Sequence, residues 1–171
     1  MPLIRALKAR DDIETKLAPP RLVAGAPMLL VGLAERHSIE ATECIPAQWQ
    51  RFMVSYGEIS HKADPIPLAV STNMDDDGTF EYVCAVQVDD ASDLPKGLVQ
   101  LRVPAQRYAV FQHLEHVSTI ATTYSAIWNY WLPAHIHKAA DGPGLERHLE
   151  TFNPQTGLGG MEIWIPLEAA A

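Results

Sequence analysis

The stretch Gly160–Leu167, which reads Gly-Met-Glu-Ile-Trp-Ile-Pro-Leu, decides the fold because it is typical of a β-strand with two unlike faces. Successive side chains of a strand point to opposite faces of the sheet, so Met161 and Ile163 share one face while Glu162 and Trp164 share the other. A carboxylate beside a tryptophan on a half-buried face is costly unless a cation, a protonated group or water pairs with it. The stretch therefore predicts a closing strand that presents an acid to one of these partners.

Length and composition indicate one domain without a membrane segment. The chain has 171 residues, of which 47% are hydrophobic and 20% charged, as in globular proteins with room for one core and an internal duplication. No apolar run reaches the length of a transmembrane helix, and Met1–Ala18 lacks the pattern of a signal peptide. The two cysteines, Cys44 and Cys84, lie far apart in the sequence, so we expect both to be reduced and the protein to be cytoplasmic.

The charge of the chain is acidic and unevenly placed. There are 13 Lys and Arg against 21 Asp and Glu, a net charge of -8, and no basic stripe is present, so we expect no direct contact with nucleic acid. Residues 75–95 are rich in acids and hold no Lys or Arg. This segment fits a solvated loop and strand edge, and it also fits a negative field that draws cations towards a nearby site.

The same order of elements occurs twice along the chain, at an offset of about eighty residues. Trp49, Phe52, Met53 and Tyr56 follow the i, i+3, i+4, i+7 spacing of one helical stripe, and short runs bounded by turn signals are typical of strands. Each half therefore reads strand, strand, helix, strand, strand. The predicted strands are Arg21–Ala24, Met28–Leu33, Leu68–Thr72, Phe80–Val88, Leu98–Val103, Tyr108–Leu114, Arg147–Phe152 and Gly160–Leu167, and the predicted helices are Pro46–Glu58 and Thr119–Leu132.

A helix with one apolar stripe needs a sheet to cover it, so the economical fold is α+β, an antiparallel sheet with both helices on one face. We expect residues 1–18 to be an N-terminal extension and residues 19–168 to form the domain, with halves of about 19–92 and 93–168. If the halves curve around a pseudo-twofold axis, the face opposite the helices becomes a concave ligand groove.

Strand parity selects candidate residues for that groove. Glu162 and Trp164 share a face, although a solvent-exposed Glu162 is the plain alternative. On the strand Phe80–Val88, either Tyr82 or Val83, each with its alternate neighbours, faces the helices. An aromatic ring beside the carboxylate suits a cation, because a cation–π contact with Trp or Tyr adds about 0.5–2 kcal/mol.

Motifs for other chemistries are missing from the sequence. There is no G-x-S-x-G turn, no P-loop and no G-x-G-x-x-G, so we expect neither a nucleophile elbow nor a nucleotide cofactor. The pairs His113/His116 and His135/His137 lack a third ligand at metal-binding spacing, and we expect no metal site. Core packing is the default for the tryptophans on the helix stripes, Trp128 among them.

Four segments carry a family resemblance. They are Tyr108–His113, Trp128–Pro133, Glu150–Pro154 and Met161–Leu167. Together with Phe80–Val83 they resemble the GyrI-like effector-binding domain, the small-molecule domain that is also attached to some AraC- and MerR-type transcription regulators. The likeness extends over roughly residues 20–168. Phe152 departs from the family pattern, in which a tyrosine is usual.

The resemblance implies a duplicated βαββ-type module with a pseudo-twofold groove, which agrees with the repeat. It implies binding of lipophilic, often cationic compounds with an acid at the base of the pocket, and Glu162 is the position that matches this acid. Some members similar to this family are instead hydrolases of strained cyclopropane-containing compounds, and others bind and inhibit DNA gyrase.

We therefore expect a stand-alone module that binds a lipophilic cationic small molecule, as a monomer or homodimer, without a cofactor or DNA-binding domain of its own. The predicted ligand-binding residues are Glu162, Trp164, Tyr82, Phe111 and Trp128. Two alternatives stay open. One is a hydrolase in which Glu162 activates water that Tyr82 holds, and the other is a protein partner, gyrase or a separate regulator, recognised through the acidic segment Asp75–Asp93.

Overall fold

Eight antiparallel strands form one continuous sheet in the computed structural model, which describes residues 17–169. The strands are β1 (Arg21–Gly25), β2 (Met28–Ser38), β3 (Leu68–Thr72), β4 (Thr79–Gln87), β5 (Val99–Val103), β6 (Gln106–His113), β7 (Gly144–His148) and β8 (Met161–Leu167). The α+β fold with an antiparallel sheet is confirmed. The predicted N-terminal extension, apart from residues 17 and 18, lies outside the described residues.

Two helical regions accompany the sheet. They are α1 (Ile45–Tyr56) and a continuous run made of a 3-10 turn (Val117–Thr119), α2 (Ile120–Ala126), a π-helical segment (Ile127–Trp131) and α3 (Leu132–Ala134). α1 carries a proline in its first turn, where the missing N–H costs nothing, and it buries Phe52 completely. Within residues 17–169, no helix combines the length and the apolar character needed to cross a membrane.

The first strand of each half of the chain pairs with a strand of the other half. The strand order is β1-β6-β8-β7-β3-β4-β2-β5, so β1 lies beside β6 and β5 lies beside β2. The third strands of the two halves, β3 and β7, meet at the centre, where Ala69 is opposite Glu146 and Leu68 is opposite Arg147. The halves are therefore joined at the centre of the sheet and also interlocked at both of its edges.

Both helical regions lie on the same face of the sheet. Cross-strand pairing places Phe111, Ile163, Glu146, Ala69 and Cys84 in one row that runs across β6, β8, β7, β3 and β4. Phe111 and Ile163 belong to the core cluster under α2, whereas Ala69 and Cys84 belong to a separate cluster under α1. The helices thus stand side by side over one face, with Glu146 between the two clusters.

The sheet is strongly curled, and this overturns the open groove that we predicted for its other face. β1 and β2 are six places apart in the strand order, yet only two residues connect Gly25 to Met28, a span of at most about 11 Å. The two edges therefore approach each other at this end, and the face opposite the helices becomes the inside of the curled sheet. Its central residues, such as Val70 and Val83, are fully buried by one another although no described helix covers them.

One predicted strand is displaced along the chain. The prediction places it at Arg147–Phe152, but β7 is Gly144–His148, because its central residues pair with β3 and β8 on both sides. The chain leaves the sheet at Leu149, and Phe152 N–H closes a turn onto the Leu149 carbonyl. The displacement matters because it adds Glu146 to the sheet.

The close approach of β2 to β4 generates a stability prediction. A Cβ at Gly32 would lie 2.2 Å from the Cys84 carbonyl oxygen, so Gly32→Ala should lower the free energy of unfolding by about 2–3 kcal/mol through overpacking. Gly57→Ala is the matched control, because nothing lies within 4 Å of a Cβ there and the backbone is helical. Urea unfolding should show a change within about 1 kcal/mol for the control, and equal losses for both variants would contradict the close approach.

Candidate functional site

Glu146 lies on the helix face of the sheet between the core clusters under α1 and α2, and we call the opening above its partly accessible side chain the cleft. Its side chain projects from the central strand β7 towards the helices, and its cross-strand neighbours are Ala69 and Ile163. Protein atoms enclose the carboxylate, and part of the residue nevertheless stays accessible. A group that is both deeply set and accessible lies at the bottom of an opening rather than in the core or on an outer surface.

Aromatic side chains from four elements surround this acid. Tyr124 of α2 interacts with the Glu146 carboxylate through its hydroxyl, and the Glu146 charge also acts on the phenol of Tyr82 on β4. Trp49 of α1 donates its indole N–H to the Tyr82 hydroxyl at 3.0 Å and meets His148 of β7 edge-on, with ring centroids 5.3 Å apart. These rings form the walls of the cleft.

His148 extends the aromatic wall without adding charge. Its ring stacks on Phe152 with centroids 4.4 Å apart, and its Nδ1 lies 3.0 Å from the Pro67 carbonyl oxygen. Burial lowers the pKa of His148, with the Pro67 contact acting in the opposite direction, so the imidazole is neutral at pH 7. Trp49, Phe152 and His148 are all partly accessible, as expected for the lining of an open cleft.

The carboxylate of Glu146 has no basic partner. No Lys, Arg or His nitrogen within the described range approaches it to 4.0 Å, the distance at which the four ion pairs of the structure are found. Burial raises the pKa of Glu146 to about 7, and the Tyr124 hydroxyl partly opposes this shift. Near neutral pH the site therefore holds an unpaired, poorly hydrated acid enclosed by aromatic rings.

The tyrosine hydroxyls beside Glu146 remain proton donors. Burial, and secondly the Glu146 charge, raise the pKa of both Tyr82 and Tyr124 well above the usual value of a phenol. Cys84, which lies in the same sheet row, likewise has its thiol pKa raised by burial and stays protonated. The acid of the cleft is thus Glu146.

Glu162 lies on the opposite face of the sheet, and its charge is already paired. Its Oε2 accepts a hydrogen bond from Arg21 Nη1 at 2.5 Å, and its Oε1 accepts one from Trp164 Nε1 at 3.3 Å. The predicted neighbourhood of Glu162 and Trp164 is present, inside the curled sheet. A cation that bound there would first have to displace Arg21.

The other predicted site residues lie on the helix face. Tyr82 is separated from Glu162 by the sheet, because β4 turns Phe80, Tyr82 and Cys84 towards α1, so the predicted pairing of Tyr82 with Glu162 is wrong. Phe111 is fully buried under α2 with its ring 5.1 Å from that of Trp131. Trp128 packs in the same cluster, and its buried indole N–H has no acceptor among the described residues.

Glu146 is the residue that the sequence analysis missed. The predicted strand begins at Arg147, which places Glu146 in a loop, where strand alternation assigns a side chain to neither face of the sheet. A signal was nevertheless present, since Glu146 and His148 alternate with Leu145 and Arg147 in a segment bounded by Gly144. Two polar residues on the helix-facing side of a central strand indicate a polar floor under the helices.

The aspartates of the acidic segment Asp75–Asp93 and of the open hollow beside it are exposed to solvent, unlike Glu146. Asp75 pairs with Arg36 at 2.7 Å, while Asp77 and Asp90 accept hydrogen bonds from Thr79 and Ser92 in their own turns. The hollow, of about 410 Å³, is lined by Arg36, Ser71, Thr72, Asn73, Met74, Asp75, Asp141 and Gly142. These contacts fit a solvated, turn-forming segment, and recognition of a protein partner through it stays a prediction.

The chain belongs to the family of GyrI-like small molecule binding domains, whose model matches residues 18–168. It is 28% identical over 148 residues to the transcriptional regulator BrlR of Pseudomonas aeruginosa, which is 86% of this chain and 54% of BrlR, so the chain spans about half the length of that relative.

Solved structures share the fold. The structure of SAV2435 bound to tetraphenylphosphonium is similar with a TM-score of 0.71 at 20% identity, over 89% of this chain and 95% of SAV2435. A hydrolase from Listeria innocua is similar with a TM-score of 0.54 at 12% identity, over 88% of this chain and 94% of the hydrolase. At these identities the likeness shows the fold alone.

The raised pKa of Glu146 generates a prediction about pH and stability. Because its pKa rises from 4.5 to about 7 on folding, its contribution to the free energy of unfolding is lost as the pH rises from about 4.5 through about 7. Glu146→Gln removes this penalty and should raise the stability at pH 8 by about 1–3 kcal/mol, but change it little at pH 4. Urea unfolding at both pH values measures the difference.

Glu162→Gln is the control for this experiment. It removes the same charge but breaks an ion pair, so it should lower the stability at pH 8. If Glu146→Gln were destabilising at pH 8 to the same degree, Glu146 would have to be a paired acid, against the geometry.

Proposed function

We propose that this GyrI-like domain binds lipophilic cations in the cleft between α1 and α2, with Glu146 as the charge that meets the ligand. One observation carries the proposal: Glu146 is a deeply set carboxylate that has no basic partner in the described part of the chain, and aromatic rings surround it. An arriving cation supplies the missing counter-charge, and its apolar groups bury the rings that water now reaches.

The aromatic walls add to the selectivity for cations. The ring faces of Trp49, Tyr82 and Tyr124 carry a negative electrostatic potential. Each cation–π contact with such a face contributes about 0.5–2 kcal/mol to binding. No Lys or Arg of the described residues stands near enough to Glu146 to attract an anion. The binding of tetraphenylphosphonium by SAV2435 supports the same ligand class, a bulky apolar cation.

We assign the role of pocket acid to Glu146, although the family resemblance matched Glu162. Glu162 is bound to Arg21 inside the curled sheet, so a ligand there would have to break an existing ion pair. Tyr82 and Trp128, which the sequence indicated as ligand contacts, lie on the side of the sheet that carries Glu146, and we keep both as proposed contacts.

Isothermal titration calorimetry with tetraphenylphosphonium tests this assignment. Glu146→Gln should weaken binding about tenfold to 100-fold, because the charge that faces the cation is lost, while Glu162→Gln should change it by no more than about threefold. The two variants carry the same change of net charge, so a general field effect would weaken both alike. The opposite ranking would restore Glu162 as the pocket acid.

The same titration has a predicted pH dependence. With a pKa of about 7, Glu146 is mostly protonated at pH 6 and mostly ionised at pH 8, so wild-type affinity should fall about tenfold from pH 8 to pH 6. The Glu146→Gln variant should show no such fall. A pH-independent wild-type affinity would mean that the ligand does not interact with the Glu146 charge.

A hydrolase is the second candidate, because a carboxylate with a pKa of about 7 next to a tyrosine hydroxyl suits general-base catalysis. Glu146 would accept the proton of a water molecule whose oxygen attacks a strained cyclopropane carbon while a ring C–C bond breaks. The carbon that keeps the electron pair of that bond would then take the proton back from the Glu146 carboxyl group, so that one water is added. In this candidate mechanism Tyr124, which lies on the same face as Glu146, would hold the water. From the sequence we expected Tyr82, beside Glu162, in that role. The Listeria innocua hydrolase shares the fold.

Mass spectrometry of an electrophilic cyclopropane substrate distinguishes the two candidates. A hydrolase yields a product heavier by one water, is inhibited by tetraphenylphosphonium and loses turnover in Glu146→Gln. If wild type binds tetraphenylphosphonium but yields no such product, the cleft binds without catalysis.

A further inference from the structure

The inside of the curled sheet holds a second cluster of charged side chains that the cation cleft does not use. Trp164 lies between two guanidinium groups, with Arg147 Cζ 5.2 Å and Arg21 Cζ 6.0 Å from its ring. Arg21 is paired with Glu162, so these two charges balance each other. Arg147 is different, because it stands directly opposite Glu162 in the sheet register but is not within ion-pair distance of it.

Arg147 is a largely buried cation with poorly matched donors. Its side chain is 24% exposed, and its contacts within the described range are Asp64 Oδ2 at 3.6 Å and Met28 Sδ at 3.7 Å. The distance to Asp64 is longer than a normal hydrogen bond to oxygen, and the thioether sulfur of Met28 is a weak acceptor. Asp64 is itself more exposed and accepts a hydrogen bond from the Ile66 N–H, so Arg147 keeps most of its five N–H groups unmatched.

Tyr108 supplies a second unmatched donor beside the same indole. Its ring meets Trp164 edge-on with centroids 5.3 Å apart, and its buried hydroxyl has no hydrogen-bond partner among residues 17–169. Burial raises the pKa of Tyr108, and the charge of Arg147 opposes this shift, which shows that the guanidinium acts on the phenol. Donors therefore exceed acceptors around Trp164.

We propose that the mouth of the curled sheet binds a small organic carboxylate, whose oxygens accept hydrogen bonds from Arg147 and, after a small side-chain adjustment, from Tyr108. A carboxylate matches a guanidinium in shape and charge, and the mouths of β-barrels are frequent ligand sites. Met28 and Trp164 provide apolar surface for the rest of the ligand.

The number of charges favours a monoanion. The Arg21–Glu162 pair is neutral, and Asp64, which is 36% exposed and 3.6 Å from Arg147, can turn to water when a ligand carboxylate takes its place, so one negative charge keeps the cluster neutral and a phosphate dianion would exceed it. A buried water molecule would satisfy the Tyr108 hydroxyl but would leave Arg147 with only its long ion pair to Asp64. This site lies on the opposite face of β7 from Glu146, so it does not rest on the proposed cation binding.

Calorimetric titration with sodium benzoate tests the proposal, with neutral benzamide as a ligand of the same shape. Wild type should bind benzoate saturably with a dissociation constant on the order of 1 mM, and benzamide at least about tenfold more weakly. Inorganic phosphate at equal ionic strength should bind more weakly than benzoate. No saturable benzoate binding would overturn the proposal in favour of a buried water, equal binding of benzamide would overturn the role of charge, and tighter phosphate binding would overturn the assignment of a carboxylate.

Three variants locate the site. Arg147→Met should reduce benzoate affinity at least about tenfold and Tyr108→Phe about threefold to tenfold, whereas Arg36→Met, which removes an exposed arginine elsewhere, should leave it unchanged. The Trp164 indole N–H resonance should shift on benzoate addition in wild type. If Arg147→Met does not fold, Tyr108→Phe decides, since it keeps the ring, and unchanged affinity in that variant would overturn the proposed contacts.

Discussion

The antiparallel pairing of β3 with β7 at the centre of the sheet is the contact on which the rest of the structure depends. It aligns the two halves so that their helices stand side by side over one face, and it places Glu146 opposite Ala69 in the row between the two cores. A shift of this register by one residue would turn Glu146 into the closed interior and Arg147 towards the helices. The position of the cleft and the sign of its charge are thus consequences of one strand pairing.

The adjacent residues Glu146 and Arg147 of β7 carry opposite charges and lie in different environments on the two faces of the sheet. Glu146 faces aromatic rings and has no counter-charge among residues 17–169, whereas Arg147 shares the inside of the curled sheet with Glu162 and Arg21. Desolvating an unpaired carboxylate costs stability, so its presence in the centre of the sheet is difficult to explain by folding alone. Under the proposed function, the same penalty would become binding energy when a cation enters, which would give the acid a functional reason.

The sequence predicted the fold but did not indicate Glu146, and the reasons can be identified. The stretch Gly160–Leu167 corresponds to β8 and the stripe from Trp49 to Tyr56 corresponds to α1. Both faces of β8 are buried, but only one of them carries an acid and an indole, and α1 keeps the period of an amphipathic helix. On β4 both faces are buried, so hydrophobicity could not show which way Tyr82 points. The pairing of Glu162 with Arg21 joins residues 141 positions apart, and no local pattern carries that information.

The exchange of first strands between the halves has a consequence for how the protein folds and comes apart. β1 completes the sheet of the second half and β5 completes that of the first, so neither half can form its full set of strands from its own residues. The most distant pairings, such as β1 with β6, have to form before either edge is closed, which predicts a high contact order and slow folding. Cleavage of the connection between β4 and β5 would leave two fragments. The first strand of each fragment would stay paired with a strand of the other, so separating the fragments would require most of the sheet to unfold.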